Sequence, residues 1–408
     1  MAYMTVLFIS LLFISLNLQA FYYEIAGLKV TFADIAIVIG LFYGILRSFR
    51  ARTKRVSSSY YIPHICIILY LLWNGIAAMI SPDVVSGTTL FLQQVRNFLL
   101  FFLITMLPFN VNDYQRVNFS LFTIGIIFSV IGIGLYYSSY LNIGSIIKNP
   151  TTWHGVIGYE LDKTGYLRAN GLAGDSNFYA IFLMLSLFCG LSINKSRFLK
   201  YGGLFLIMVA ILLAFSRSIL VALVLTLFAM YFIRLVKLSR RDFFYITAMA
   251  IFLVFSSVCI FLVFEINMIE VMELRFTDIS GGYRSYLWNI LIHMISESPL
   301  WGHGLRTAQN VTGIYSHNTY IELLVDTGLI GATLFGLILL SVFILMLKVR
   351  NNRKITDAIR PWNFMFIYTL FFSFVFSFGT NPFFWLVLSM VVSSYKINGD
   401  QKWSRLRS

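Results

Sequence analysis

The sequence predicts an all-α membrane protein with about 12 spanning helices, and three observations carry that reading. Of 408 residues, 59% are hydrophobic and only 12% are charged, against about 25% charged in soluble domains. The apolar residues fall in runs of spanning length, and twelve helices of ~20 residues would use ~240 positions, which matches the apolar total. The basic residues cluster in alternate connections between those runs. Together these features exclude soluble enzymes and nucleic-acid-binding modules, although a net charge of +14 would in a soluble protein suggest a polyanion partner.

In chain order the runs lie near 4–20, 31–46, 60–80, 87–107, 117–137 and 176–194, then near 200–215, 218–236, 243–264, 328–347, 361–378 and 381–397. The first, Met4 to Leu18, has neither a basic n-region nor a small-x-small cleavage site, so it reads as a retained helix and not a signal peptide. The second run contains Asp34 and the fourth Arg96; pairing them is the cheaper electrostatic arrangement in lipid. The stretch from Leu199 to Leu235 is too long for one helix. Ser216-Arg217 at its centre predicts two helices meeting at the membrane surface. The expected organisation is a single polytopic domain over 1–397 with a tail at 398–408. Cys66, Cys189 and Cys259 sit in apolar runs without metal-ligand spacing and read as small core residues.

Orientation follows from the basic residues. Arg47 to Arg55, Arg116, Lys195 to Lys200, Arg234 to Arg241, Lys348 to Arg360 and the C-terminal tail hold most of the 31 lysines and arginines. The positive-inside rule places these segments, and both termini, in the cytoplasm. The two long connections, about 138–175 and 265–327, then lie outside and are expected to contain short helices. In one of them, Tyr283 to Ile295, Leu287, Leu291 and Met294 share a face that would pack on the membrane domain. No G-x-x-x-x-G-K-[ST] motif occurs, which argues against an ATP-driven pump.

The outer connections hold the candidate chemistry. Arg168, in a segment that continues through Asp175 to Asn177, Arg217, Arg284 and Arg306 are arginines where lysine is scarce. Guanidinium groups bind phosphate through paired N–H donors, so a pyrophosphate pocket is one reading; interfacial anchors and structural ion pairs are the other. Asp175 or Ser176 also suits a helix cap. Among the five histidines, His317 opens a helical pattern that places Asn318, Glu322 and Asp326 on one face. A helix start favours the neutral imidazole that a general base requires. His303 lies between Gly302 and Gly304, just before Arg306. Gly328 and Gly331 suit either a tight turn or close helix packing.

These pieces resemble a family. His317-Asn318 followed by Gly328 and Gly331, the Ser216-Arg217 break, Arg284 with Trp288, and Pro299-Leu300-Trp301-Gly302-His303-Gly304 are similar to the signatures of the O-antigen ligase and O-antigen polymerase superfamily. The resemblance is most specific over about 165–331. It implies a GT-C-like glycosyltransferase of the bacterial inner membrane, acting at the periplasmic face without metal or cofactor. Such an enzyme transfers glycan from undecaprenyl pyrophosphate to an acceptor hydroxyl, with inversion. Carried onto this chain, Arg217 and Arg284 hold the pyrophosphate and His317 serves the acceptor. Arg168, Arg306, Asp175, Asn177, His303, Asn318 and Glu322 are the expected binding residues. The implied partners are the lipid-linked glycan, membrane lipid and a chain-length regulator protein, with no nucleic acid. The Arg168-to-Asn177 segment looks more like polymerase members than ligase members. The alternatives are a ligase acting on the lipid A core and, from another class, a polysaccharide or lipid-carrier flippase; a flippase would want an internal repeat, and none is evident.

Overall fold

A computed structural model describes residues 2–18, 21–25, 28–48, 58–140, 158–161, 167–193, 196–233, 282–313, 315–349 and 353–405. The run near 243–264, with Cys259, lies outside the described residues. Every other predicted run forms a helix. These are α1 (Ala2–Asn17), α2 (Phe32–Ser48), α3 (Ile62–Met79), α4 (Val84–Met106), α5 (Val111–Tyr140), α6 (Ser176–Ser192), α7 (Arg197–Leu213) and α8 (Arg217–Ile233). After the second long connection with its helices α9 (Gly282–Glu297) and α10 (Thr307–Thr312) come α11 (Thr319–Lys348), α12 (Arg353–Phe372) and α13 (Pro382–Arg405).

Four described stretches, Ser58–Met79, Val84–Met106, Val111–Ser138 and Thr319–Lys348, are long and apolar enough to cross a membrane. Their outward faces are apolar as well: Leu72, Leu92, Ile127 and Leu340 are exposed. That pattern suits lipid as solvent, where helices associate through close packing and hydrogen bonds and not through exclusion of water. The chain is an all-α membrane protein. Its helix starts follow local rules. Asp83 caps α4 through Ser86 N–H, Asp175 caps α6 through Asn177 and Phe178 N–H, and Pro63 stands in the first turn of α3.

Part of the first long connection, at residues 141–157, lies outside the described residues. Its described part contains an antiparallel hairpin that was not anticipated, β3 (Gly158–Leu161) with β4 (Leu167–Gly171). Glu160 pairs in register with Arg168, and Leu161 with Leu167. Strands this short show too little alternation to be read from sequence, and their pairing is a tertiary fact. A second hairpin joins β1 (Tyr22–Ile25) to β2 (Leu28–Thr31), and it too was not anticipated.

The chain packs as two compact units, one of Met1–Leu16, Glu24–Val117 and Arg284–Ser408, the other of Asn17–Tyr23 and Asn118–Tyr283. In the first, α11 packs along α3, α13 along α4, and α12 along α13. Asp34 and Arg96 form the expected ion pair at 2.6 Å. The two ends of this unit gather different connections. At one end Leu305 N–H donates to Ala77 O, Ser81 Oγ donates to Leu305 O, and Thr319 N–H donates to Ser373 O. At the other end Lys348 donates to Ser59 Oγ, and Lys396 donates to Thr105 O and lies over the Tyr60 ring. In the second unit α6 is buried all round from Tyr179 to Gly190, between α7, α8 and β4. A helix apolar on every side is a central one.

Candidate functional site

In the second unit the chain between α7 and α8 reverses within a few residues. Phe215 adopts a left-handed φ of 46°, so α7 ends at Leu213 and Arg217 opens α8. Two distant segments brace this turn. Arg168, from β4, donates from Nε to Ala214 O at 3.1 Å and approaches Asn177 Oδ1 at 3.5 Å. Ser216 Oγ donates to the same Asn177 oxygen at 2.6 Å. Arg168, Asn177 and Arg217 are therefore brought together through Ser216, with Asp175 capping the helix that carries Asn177. Arg217 itself is exposed. Two guanidinium groups, those of Arg168 and Arg217, thus stand at the turn between the end of α7 and the start of α8.

In the first unit residues 298–308 and 316–318 clasp the first turns of α11. His303 N–H donates to Val325 O at 2.8 Å and Gly304 N–H to Asp326 O at 3.0 Å. The buried Asp326 carboxylate accepts from Arg306 N–H at 2.8 Å and Ala308 N–H at 2.9 Å. Leu329 N–H donates to Pro299 O at 2.8 Å, and Trp73 Nε1 to Thr327 O at 2.9 Å. The clasp closes around a kink. Gly328, with φ 61° and ψ −169°, breaks the helical path, and its backbone lies against Leu300 and Gly302. A Cβ on Gly302 would stand 2.5 Å from Gly328 N, so the two glycines are required by one backbone-to-backbone contact. Gly331 lies against Trp73.

His317 sits beside this clasp, one residue before the cap of α11, with a left-handed φ of 58° and its ring 5.9 Å from that of Phe376. Its neighbours are fixed. Ser316 N–H donates to Glu322 Oε1 at 2.7 Å, and Ser316 O accepts from Trp288 Nε1 at 2.9 Å. Asn318 accepts from Tyr320 and Ile321 N–H as the N-cap. Arg284 lies one helical turn before Trp288 on α9, so the Arg-x₃-Trp element connects the arginine's helix to the residue preceding His317. As expected, α9 buries Leu287 and Leu291, the latter in a cluster with Ala308 and Val325 that Met294 joins.

Several predicted binding residues thus have structural partners. Asn318 caps, Glu322 holds Ser316 and Ser377, Arg306 donates to Gln309 Oε1, and the His303 ring bonds Met294 O. His64 and His293 are also engaged, with Thr105 and Glu297 respectively.

Beside the clasp is a cleft lined by Gln94, Arg306, Gln309, Tyr315, Glu322 and Trp385 among others. Sequence reasoning missed Gln94. The signal available was a pair of amides, Gln93-Gln94, inside an apolar run.

Residues 202–336 match the family model described as O-antigen ligase. Over this segment the chain is similar to the O-antigen ligase family. The segment includes Arg217, Arg284, His303, Arg306, His317, Asn318, Glu322, Gly328 and Gly331, and leaves Arg168, Asp175 and Asn177 outside. A search of curated proteins gave no match to the chain.

Proposed function

We propose that this protein is a surface-polysaccharide polymerase, a GT-C-like glycosyltransferase of about 12 spans in the bacterial inner membrane. It transfers repeat units from undecaprenyl pyrophosphate to a hydroxyl of another unit at the periplasmic face. The observation that carries the reading is the family segment over 202–336, with Trp288 joining the helix of Arg284 to the residue before His317. The acceptor oxygen attacks the anomeric carbon, the bond from that carbon to the pyrophosphate oxygen breaks, and the configuration inverts. His317 takes the hydroxyl proton. Arg217 and Arg284 stabilise the charge that develops on the departing undecaprenyl pyrophosphate, the largest electrostatic demand of such a step. The leaving group is already activated, so no nucleotide is needed. The sidedness of contacts in the first unit supports the orientation. The connections assigned outside, at 77–86, 298–312 and 373–381, meet at one end, and Lys348 and Lys396 at the other.

A second reading, ligation of finished glycan to the lipid A core, is favoured by the description of the matching family. A deletion strain separates the two. A core carrying one repeat unit identifies a lost polymerase; long polymer left on the lipid carrier identifies a lost ligase. Complementation with Arg217→Ala, Arg284→Ala or His317→Ala at wild-type protein levels should leave the deletion phenotype in place. Normal chain-length ladders from all three variants would remove the catalytic assignment.

A further inference from the structure

The first residues of the clasp lie deeper than a connection outside the membrane needs to. The Trp301 ring packs 5.4 Å from that of Trp73 on α3. Trp73 stands less than two helical turns before the end of that helix, about 9 Å short of Met79. On α11, Leu329 N–H donates to Pro299 O, while Lys348 meets Ser59 at the opposite end. Roughly 20 residues separate Leu329 from Lys348, a rise of about 30 Å that equals the hydrocarbon thickness of a bilayer. Residues 299–301 therefore stand at the edge of the hydrocarbon, beside the spanning helices.

Their side chains match that depth. Leu300 is 54% exposed and Trp301 56%. The helices they rest on expose Leu72, Ile76 and Met79 on α3 and Leu329 on α11, so the apolar surface of the spans continues onto this segment. Its backbone carbonyls are provided for. Ser298 O accepts from Gly302 N–H, Pro299 O from Leu329 N–H, Leu300 O from Ile330 N–H and Gly302 O from Ser298 Oγ. Carbonyls left without donors are costly where water is scarce. The Trp301 indole N–H has no partner among the described residues. An aromatic body on apolar neighbours, with its N–H left over, suits the level where acyl chains meet headgroups.

We propose that residues 299–301 form a tip that enters the membrane leaflet on the clasp side, with Leu300 and Trp301 in contact with lipid at the boundary between acyl chains and headgroups. The occupant is bilayer lipid because the tip continues the lipid-facing surface of α3 and α11. Through Pro299 O and Leu300 O the same tip holds Leu329 and Ile330 beside the Gly328 kink, so the leaflet contact and the clasp share one backbone.

The test reconstitutes the full chain in phosphatidylcholine vesicles and compares it with Trp301→Phe, the difference in tryptophan emission reporting on Trp301. That difference should be largely lost in lipid brominated on the upper acyl chain and less so with bromines near the chain end. Iodide on both sides of the membrane should leave it unchanged. In the Trp301→Phe chain, Leu300→Trp should restore a signal with the same quenching, which separates lipid contact from an effect of the first substitution on Trp73. Quenching by iodide, or by neither agent, overturns the tip. Stronger quenching by the deeper bromines overturns the boundary level. Loss of bromolipid quenching as protein density rises would make a second copy the occupant, and loss on adding undecaprenyl phosphate would make it a polyprenyl chain; either result overturns the contact with bilayer lipid.

Discussion

Replacing Gly328 by alanine should unfold the clasp, and the structure gives the size of the effect. Gly328 occupies φ 61° and ψ −169°, a region essentially restricted to glycine, which costs another residue about 1–3 kcal/mol. The added Cβ would also stand 2.3 Å from Leu300 O and 2.6 Å from Gly302 N. Both are backbone atoms held by the bonds from Leu329 to Pro299 and from Gly302 to Ser298, so neither can yield cheaply. Overpacking of this kind adds about 1–3 kcal/mol. The sum, about 2–6 kcal/mol, is a large part of a net stability of about 5–15 kcal/mol. Gly336, two turns further along the same helix, is the control: nothing lies within 4 Å of its Cβ position. Gly336→Ala should be neutral or stabilise by up to about 1 kcal/mol through helix propensity. The assay is thermal unfolding of both purified variants in one detergent, read by tryptophan fluorescence. If Gly328→Ala melts with wild type, the kink is not held by the 298–306 segment and the account of the clasp is wrong.

Three further outcomes test the same contacts. Asp326→Ala strips the acceptor from the N–H groups of Arg306 and Ala308 and should cost about 2–4 kcal/mol in the same melt; Asp326→Asn, which keeps one acceptor oxygen, should cost roughly half. Trp288→Phe keeps the ring and loses the bond to Ser316 O; it should cost about 1 kcal/mol of stability yet shorten the glycan ladder at wild-type protein level, and an unchanged ladder would show that the tether is dispensable. For the ion pair of Asp34 and Arg96, Asp34→Asn with Arg96→Gln should be more stable than either single variant, with a coupling of about 0.5–3 kcal/mol in a double-mutant cycle.

The features legible in sequence are those set by local composition. Apolar runs became helices because length and hydropathy are properties of one segment, and Asp34 with Arg96 could be paired because each stood alone in its run. The buried face of α9 followed from its helical spacing. What stayed hidden depends on segments distant in the chain. Nothing local announces that Asn177 accepts from Ser216, or that Asp326 holds the backbone of residues 306 and 308. The hairpin of β3 and β4 escaped because strands of four and five residues have almost no period to detect. Asn318 and Glu322 were correctly placed on one face of a helix start, but their present bonds are to backbone and to Ser377, and only the fold could reveal that.

Backbone strain supplies an independent pointer to the same residues. Among the described residues, the non-glycine positions with positive φ are Phe215, Arg306 and His317. All three fall inside the family segment over 202–336. Phe215 precedes the Ser216-Arg217 turn, Arg306 lines the cleft, and the third is the proposed base itself. Left-handed backbone at such residues costs of order 1–3 kcal/mol each and survives only where surrounding contacts over-determine it. The contacts that do so are the ones described: Arg168 and Asn177 around the first turn, Asp326 under Arg306, and Trp288, Glu322 and the Asn318 cap on either side of His317. A fold that needed only to cross the membrane could relax each of these positions with glycine. Instead it keeps Phe215, Arg306 and His317 in left-handed backbone, each held by the contacts named above.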